Sequence, residues 1–186
     1  MQIIDLCPEA LDAIQQAAAL LVEGFQEHWP NAWPDLDSAV EEVKESFGAE
    51  RISRIAVDDE GVVLGWIGGI KQYNGNVWEL HPLVVRSDCQ GKGIGRALVA
   101  DLEDRVRELG GLTLWLGTDD EDNLTTLAGV NLYPNVFEHI SQIKNLRSHP
   151  YEFYQKCGFV IVGVVPDANG LGKPDIYMAK PVSPER

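Results

Sequence analysis

The sequence predicts a mixed α/β fold of the α+β kind, and three observations carry this prediction. Strand-like runs over 52–57, 62–70 and 77–85 are separated by an acidic-Gly turn and an Asn-Gly turn. Such turns are strong hairpin signals, so these strands should form an antiparallel meander. A glycine cluster and an amphipathic helix follow, and an apolar strand comes directly after that helix. This strand is expected to run parallel to the strand before the helix.

The elements before the meander follow from hydrophobic spacing. A short strand at 3–4 precedes a helix over 9–25, in which apolar residues recur at helical steps. The Trp- and Pro-rich segment 27–34 interrupts this pattern. A second helix is expected over 35–47, with its apolar residues on one face, and it ends at Gly48.

The elements after the meander include one long helix and several short pieces. The helix over 94–109 has an apolar stripe, i,i+4 ion pairs on its polar side and a Gly-Gly pair after its end. Residues 123–150 show no clear periodicity. The other expected elements are a strand over 112–117, a short helix over 151–157 and strands over 159–165 and 174–181.

Size and charge limit the class of protein. The 186 residues correspond to a single domain over 1–186 with one sizeable core. A hydrophobic fraction of 45% and a charged fraction of 24% exclude a disordered chain. There are 15 Lys and Arg against 29 Asp and Glu, which gives a formal net charge of −14. Because phosphate binding requires basic residues, we expect no nucleic acid partner and favour a cationic one.

The negative charge is unevenly distributed. Residues 86–110 carry five basic and five acidic side chains, whereas 35–60 carry nine acids against three bases. Residues 119–122 read Asp-Asp-Glu-Asp. Such clusters are either solvated faces that aid solubility or parts of a site for a cation. The second interpretation predicts that the neutral stretch and its acidic surroundings serve two different ligands.

Cysteine usage and targeting patterns favour a cytoplasmic protein. The three cysteines are far apart without CxxC spacing, which is typical of reduced thiols and gives no indication of a metal site. No apolar run approaches the length of a membrane span, and the first residues lack the pattern of a signal peptide. We therefore expect no membrane partner.

A glycine-rich loop stands between the third meander strand and the following helix. It consists of Gln90, Gly91, Lys92, Gly93, Ile94, Gly95 and Arg96. Free N–H groups and the positive end of the helix dipole suit this position to phosphate. There is no GxxxxGK[ST] motif, and GxGxxG would require glycine where Arg96 stands. The alternative is a turn that only packs the helix on the strand.

Two motifs together resemble a known family. Gln90-x-x-Gly93-x-Gly95, between an apolar strand and an amphipathic helix, is similar to the acyl-CoA pyrophosphate loop of the GCN5-related N-acetyltransferases. The segment 153–159 is similar to the FYxKxGF segment of that family. The segments 149–151 and 166–176 further resemble a bacterial subgroup, the aminoglycoside 6'-N-acetyltransferases.

The resemblance implies a fold, a co-substrate and a site. The fold would be a mixed central sheet with a parallel pair splayed around an acyl-CoA cleft, between the strand ending at Val85 and the strand ending at Gly117. The resemblance places acetyl-CoA against Leu83, Val84, Val85, Gln90, Gly91, Lys92, Gly93, Ile94, Gly95, Arg96 and Asn123. Similar proteins are often homodimers, so a homodimer is an additional expectation.

Three residues are candidates for the chemistry of acetyl transfer, which needs a neutral amine, an oxyanion donor and a proton for the thiolate. Glu79 and His81 are two apart on one strand and share a face, so either could take the ammonium proton. Their alternative roles are a surface ion pair and a half-buried structural histidine. Tyr154 matches the tyrosine with which the family protonates the CoA sulfur, and a core aromatic is its alternative role. The resemblance leaves the oxyanion to a backbone N–H near Val84 or Val85.

The acceptor site is expected to be acidic and aromatic. Residues 124–150 stand where the family has a turn or two of helix, and this insertion forms either part of the acceptor site or a dimer surface. The candidates for acceptor contacts are Trp29, Trp33, Asp119, Asp120 and Glu138. Core packing is the alternative for the two tryptophans.

These features predict an acetyl-CoA-dependent N-acetyltransferase for a small polycationic amine, with the 6'-amine of an aminoglycoside as the favoured acceptor. A polyamine or a peptide amine is the alternative acceptor. A different class is a non-catalytic acyl-CoA-binding or drug-binding protein of the same fold. A hydrolase is not supported, because the sequence has no GxSxG, no HExxH and no evident Cys-His signature.

Overall fold

The computed structural model describes residues 1–182, which form two compact units. Unit 1 is Met1–Leu114 together with Val182, and unit 2 is Trp115–Pro181. The single domain over 1–186 therefore stays a prediction, and residues 183–186 lie outside the described part. Within residues 1–182, no helix is long and apolar enough to cross a membrane.

Unit 1 contains the predicted meander. Its strands are β1 (Gln2–Asp5), β2 (Arg51–Val57), β3 (Val63–Gln72) and β4 (Val77–Val85). They lie in the order β1-β2-β3-β4, and each neighbouring pair is antiparallel. Its helices are α1 (Leu11–Phe25), α2 (Leu36–Glu45) and α3 (Ile94–Glu108). The antiparallel meander predicted from the turn residues is confirmed.

Helices cover both faces of the sheet in unit 1. Trp66 and Val84 belong to a buried apolar cluster with α1 and α2. The neighbouring Gly65 faces the other way, because successive strand residues point to opposite faces. A Cβ added there would stand 3.0 Å from Leu98 of α3. The α2 helix begins with a capping box, in which the Asp35 carboxylate accepts the Ser38 N–H at 2.8 Å.

A β-bulge shifts the register of β4. Leu83 lies opposite Ile67 and Leu80 opposite Gly69, so β4 has one residue more than β3 between these pairs. The His81 carbonyl oxygen at the bulge would be 2.3 Å from a Cβ at Gly68, and this approach requires glycine at that position. Side chains before and after the bulge therefore alternate out of phase.

Unit 2 is built around three strands. After β5 (Thr113–Asp119), which begins in unit 1, come α4 (Val136–Ser141), α5 (Tyr151–Lys156), β6 (Val160–Val165) and β7 (Asp175–Pro181). The strand order is β5-β7-β6, with β6 and β7 antiparallel. The segment 123–150, which shows no periodicity, thus contains the short helix α4.

The five tryptophans are divided unequally between the units. Four are in unit 1, including Trp66, whose fully buried indole N–H donates to the Ser53 hydroxyl at 2.9 Å. Trp115 is the tryptophan of unit 2, and its ring packs edge-on against Tyr177 with 5.3 Å between centroids.

Candidate active site

The glycine loop between β4 and α3 exposes backbone. Gly91 and Gly93 have φ angles of 73° and 87°, which side chains other than glycine rarely adopt. A Cβ added to either residue would meet no atom of the described part of the chain within 4 Å. Gly93 is the N-cap of α3, no side chain within residues 1–182 caps this helix end, and its first turn carries no acidic residue. The loop therefore offers free N–H groups in open space, as an anionic ligand requires.

Some side chains of the loop fix it to the rest of unit 1, and others are exposed and positively charged. The Gln90 amide donates to the Val85 carbonyl at 3.2 Å and fixes the loop to the end of β4, while Ile94 is buried. Lys92 and Arg96 are exposed and form no ion pair within residues 1–182. Both are available to an anion.

The side chains at the end of β4, before the loop, differ in burial. Val84 is buried, and its side chain packs towards α1, where it would be 2.7 Å from a Cβ at Gly24. Leu83 and Val85 are partly exposed. Val84 can therefore contribute to a ligand site through its backbone.

Glu79 and His81 share the face of β4 that is covered by α2. Glu79 lies opposite Ile70, on the same face of the sheet as Trp66. Its carboxylate accepts a hydrogen bond from the Gln72 amide. Burial raises the pKa of the Glu79 carboxyl above its ordinary value of 4.5, although His81, Arg51 and this hydrogen bond act in the opposite direction. A carboxylate that holds its proton more tightly is a stronger base.

His81 has neighbours from outside its own strand. Its Nε2 lies 3.9 Å from the Glu42 carboxylate of α2, and its ring centroid is 6.1 Å from that of Trp33. His81 is exposed, with 45% of its side chain accessible. Glu42 was missed by the sequence analysis except as one acid in the cluster over 35–60, because only the packing of α2 shows which of these acids meets β4.

The two candidate tryptophans pack around Phe25. The Trp33 ring meets that of Phe25 edge-on at 4.7 Å between centroids, and the Trp29 ring is tilted on it at 5.7 Å. Both are partly buried, so packing is part of their role. The indole N–H of Trp29 is buried and has no hydrogen-bond partner within residues 1–182.

In unit 2, Tyr154 lies on α5 among aromatic rings. Its centroid is 5.1 Å from that of Phe153 and 5.8 Å from that of Phe159. Burial raises the pKa of the Tyr154 phenol above its ordinary value, with the nearby Cys157 acting in the same direction. The phenol therefore keeps its proton at neutral pH.

The acidic residues at the end of β5 and directly after it have different environments. Asp120 is fully buried, and its carboxylate accepts the N–H groups of Leu124 and Thr125 at 2.7 and 2.8 Å. We therefore assign Asp120 to holding this loop, in place of the acceptor contact predicted from the sequence. The Asp119 carboxylate accepts from the Asn169 amide.

The other candidates of unit 2 are exposed. Asn123 has a φ of 55°, and its carbonyl accepts from Arg147 at 3.0 Å. Glu138 is exposed on α4. Within residues 1–182, no group of three or more His, Cys, Asp and Glu side chains could hold a metal ion.

Comparison with known proteins gives the family. The model of the acetyltransferase (GNAT) family matches residues 16–133. The chain belongs to the GNAT acetyltransferases. No curated protein matches the chain.

Solved structures support the same family over the full length of the chain. An aminoglycoside 6'-N-acetyltransferase complexed with coenzyme A is 44% identical, with a TM-score of 0.91 and coverage of 100% of this chain and 99% of that chain. The aminoglycoside 6'-N-acetyltransferase from Enterococcus faecium is 44% identical, with a TM-score of 0.89 and the same coverage. Aminoglycoside 6'-acetyltransferase type Ii is 38% identical, with a TM-score of 0.75 and complete coverage of both chains. The predicted mixed α/β GNAT fold is thereby confirmed.

The glycine loop of this GNAT enzyme fits the acetyl donor, acetyl-CoA. The uncapped start of α3 and the open space above Gly91 and Gly93 suit the pyrophosphate of coenzyme A. Lys92 and Arg96 add two exposed positive charges to the loop. The chain is therefore an acetyl-CoA-dependent acetyltransferase, as the sequence predicts.

Proposed function

We propose that this GNAT enzyme transfers the acetyl group of acetyl-CoA to the 6'-amine of an aminoglycoside. The observation that carries the proposal is the 44% identity, over the full length, to two proteins named as aminoglycoside 6'-N-acetyltransferases. The net charge of −14 favours a polycationic acceptor of this kind.

The decisive experiment measures thiol release from acetyl-CoA with four acceptors: an aminoglycoside with a 6'-amine, one with a 6'-hydroxyl, spermidine and a peptide. We expect turnover with the 6'-amine and none with its 6'-hydroxyl counterpart. Turnover with spermidine alone or with the peptide alone would contradict the proposal. Coenzyme A binding without turnover of any acceptor would support a non-catalytic binding protein.

In this proposal Glu79 or His81 removes the proton of the acceptor ammonium, since only the neutral amine is a nucleophile. The raised pKa of Glu79 favours it as the base, and the exposure of His81 favours access from solvent. Glu42 and Trp33 beside His81 offer a carboxylate and an aromatic face to the ammonium group. Trp29, Asp119 and Glu138 are proposed as further acceptor contacts.

The proposed donor contacts are mainly backbone groups. The N–H groups of the loop, with Gln90 and Gly95, would hold the pyrophosphate, and 83–85 and Asn123 would contact the pantetheine arm. An N–H near Val84 or Val85 would stabilise the oxyanion that forms when the amine attacks the acetyl carbonyl.

Tyr154 is the proposed general acid. As the C–S bond breaks, its phenol gives a proton to the departing thiolate, and the phenolate is reprotonated from solvent. We expect Tyr154→Phe to lower kcat by on the order of a hundredfold, without loss of folding measured by circular dichroism. Tyr73→Phe is the matched control, because that hydroxyl is exposed in the β3–β4 turn. A Tyr154→Phe enzyme with unchanged kcat would remove the role.

The oligomeric state and the cellular location are part of the proposal. We infer a homodimer, from the family resemblance, and a cytoplasmic enzyme, from three cysteines that form no disulfide within residues 1–182. Light scattering of the purified chain tests the dimer. The proposed activity would also confer resistance. Expression in a susceptible bacterium should raise the inhibitory concentration of 6'-amine aminoglycosides and leave that of 6'-hydroxyl ones unchanged.

A further inference from the structure

A buried imidazole lies directly before the helix that carries Tyr154. His149 is 2% exposed, and both of its ring nitrogens meet backbone groups. Its Nε2 is 3.0 Å from the carbonyl oxygen of Asp119, the last residue of β5. Its Nδ1 is 3.1 Å from the backbone nitrogen of Tyr151, the first residue of α5. The ring therefore connects the end of one element with the start of another.

These two contacts determine the tautomer. The N–H of Tyr151 can only donate, so Nδ1 must present its lone pair. The Asp119 carbonyl can only accept, so the proton must be on Nε2. The neutral Nε2–H imidazole satisfies both backbone groups, whereas the other tautomer and the imidazolium lose the bond to Tyr151.

The backbone of His149 is fixed independently of its ring. The Asn145 side chain accepts the His149 N–H at 2.8 Å and donates to the His149 carbonyl at 2.9 Å. Asn145 itself forms an isolated β-bridge with Thr125, in the loop that the Asp120 carboxylate holds. The imidazole is thus attached to an ordered part of unit 2, and its position is defined from both sides.

The α5 helix depends on such attachments. It has six residues, and a helix of this length is not stable by itself in water. Tyr154 follows Tyr151 by three residues, so the two side chains lie on neighbouring positions of one helix face. A displacement of the start of α5 would therefore move the Tyr154 hydroxyl.

We infer that His149 is a positioning residue for the acetyl transfer: as the neutral Nε2–H tautomer it ties the start of α5 to the end of β5 and so sets the place of the Tyr154 hydroxyl. This inference rests on the proposed function, in which Tyr154 is the general acid. In this role the ring nitrogens of His149 hold backbone groups, and His149 takes no proton from the substrates.

Two isosteric substitutions separate the two hydrogen bonds. The Asn amide in His149→Asn takes the place of Nδ1 and can still accept from Tyr151, whereas the Gln amide in His149→Gln reaches the place of Nε2 and can still donate to Asp119. His149→Ala loses both. Asn131→Ala is the matched control, because it removes an exposed side-chain bond to a backbone N–H, that of Tyr133, in the same segment.

Steady-state kinetics of the full chain with acetyl-CoA and a 6'-amine aminoglycoside provide the first readout. We expect His149→Asn and His149→Gln each to lower kcat by on the order of tenfold to a hundredfold, as small misplacements of reacting groups do, with KM for acetyl-CoA near the wild-type value. The control should keep its kcat. In a Tyr154→Phe background the same substitutions should cause almost no further loss, because they act through the missing hydroxyl.

The outcomes distinguish the inference from the proposed function. Folded His149→Asn and His149→Gln enzymes with wild-type kcat would overturn the inference, as would a full additional loss in the Tyr154→Phe background. A Tyr154→Phe enzyme with wild-type kcat would instead overturn the role of Tyr154 on which it rests. If the His149 variants do not fold, ¹⁵N-histidine NMR of the wild-type protein decides: Nε2 protonated and Nδ1 bare at neutral pH supports the inference, and any other state contradicts it.

Discussion

Glu79 and His81 show what a sequence can indicate about single residues. Their spacing of two on a strand predicts a shared face, and both lie on the face covered by α2. The contacts of His81 with Glu42 and Trp33 could not be predicted, because the packing of α2 and of the segment before it against β4 is a tertiary property. The phase shift at the β4 bulge was also invisible, since it depends on how closely Gly68 approaches the His81 carbonyl.

The raised pKa of Glu79 gives a prediction with a definite sign. Below its ordinary pKa of 4.5 the carboxyl is neutral in both folded and unfolded chains, so folding buries no charge at this position. Above pH 4.5 the carboxyl ionises freely in the unfolded chain, whereas the buried carboxyl of the folded chain ionises only at a higher pH. Stability is therefore lost as the pH rises through the folded pKa. Glu79→Gln should therefore raise the melting temperature relative to wild type at neutral pH, with no gain in acid.

The same Glu79→Gln substitution that should stabilise the protein should lower its activity. If Glu79 is the base, Glu79→Gln lowers kcat/KM and removes the acid limb of its pH profile, which lies above pH 4.5 in the wild-type enzyme. His81→Asn, measured in parallel, should leave that limb in place. If His81→Asn removes the limb and Glu79→Gln does not, the base is His81.

Among the elements, the helices and strands of unit 1 follow the sequence patterns within a few residues. The α3 helix runs over Ile94–Glu108, where an apolar stripe predicts 94–109. The short α4 helix gave no comparable signal, because six residues complete fewer than two turns and leave little periodicity to detect, although α5 of the same length was predicted over 151–157. The loop that precedes α4, at Leu124 and Thr125, is held by side-chain bonds to Asp120, which local sequence does not reveal.

The loop before α3 can be tested with a matched pair of glycines. Gly93 and Gly61 have φ angles of 87° and 83°, and a Cβ at either would meet nothing within 4 Å among residues 1–182. Alanine should therefore strain the backbone about equally at both, by about 1 kcal/mol or slightly more. Only Gly93→Ala should also raise KM for acetyl-CoA, because its methyl group occupies the space above the loop. Equal KM values for the two variants would contradict the placement of the pyrophosphate.

For the whole molecule, the charge balance of 86–110 hides a local asymmetry. Its five acids are all in ion pairs, among them Asp101 with the buried Arg54, while Lys92 and Arg96 form none within residues 1–182. The stretch that is neutral by count is therefore positive at the loop. Counting charges predicted that the neutral stretch and its acidic surroundings bind different ligands. Only the structure shows which side chains neutralise one another.

The acidic remainder predicts a salt effect on the acceptor. Attraction between exposed charges is screened over about 8 Å at physiological ionic strength. KM for a polycationic aminoglycoside should therefore rise with added salt, and KM for a monocationic amine should rise much less. A KM for the polycation that is independent of salt would contradict an acidic acceptor site.

The unequal division of the tryptophans makes the protein convenient for spectroscopy. Trp115 is the indole of unit 2, while Trp66 is sealed in the core of unit 1 and Trp33 lies beside His81. Biosynthetic 5-fluorotryptophan would thus give five ¹⁹F resonances, assignable by single replacement. One spectrum could then follow acceptor binding at Trp33 and the state of unit 2 at Trp115, with Trp66 as an internal standard.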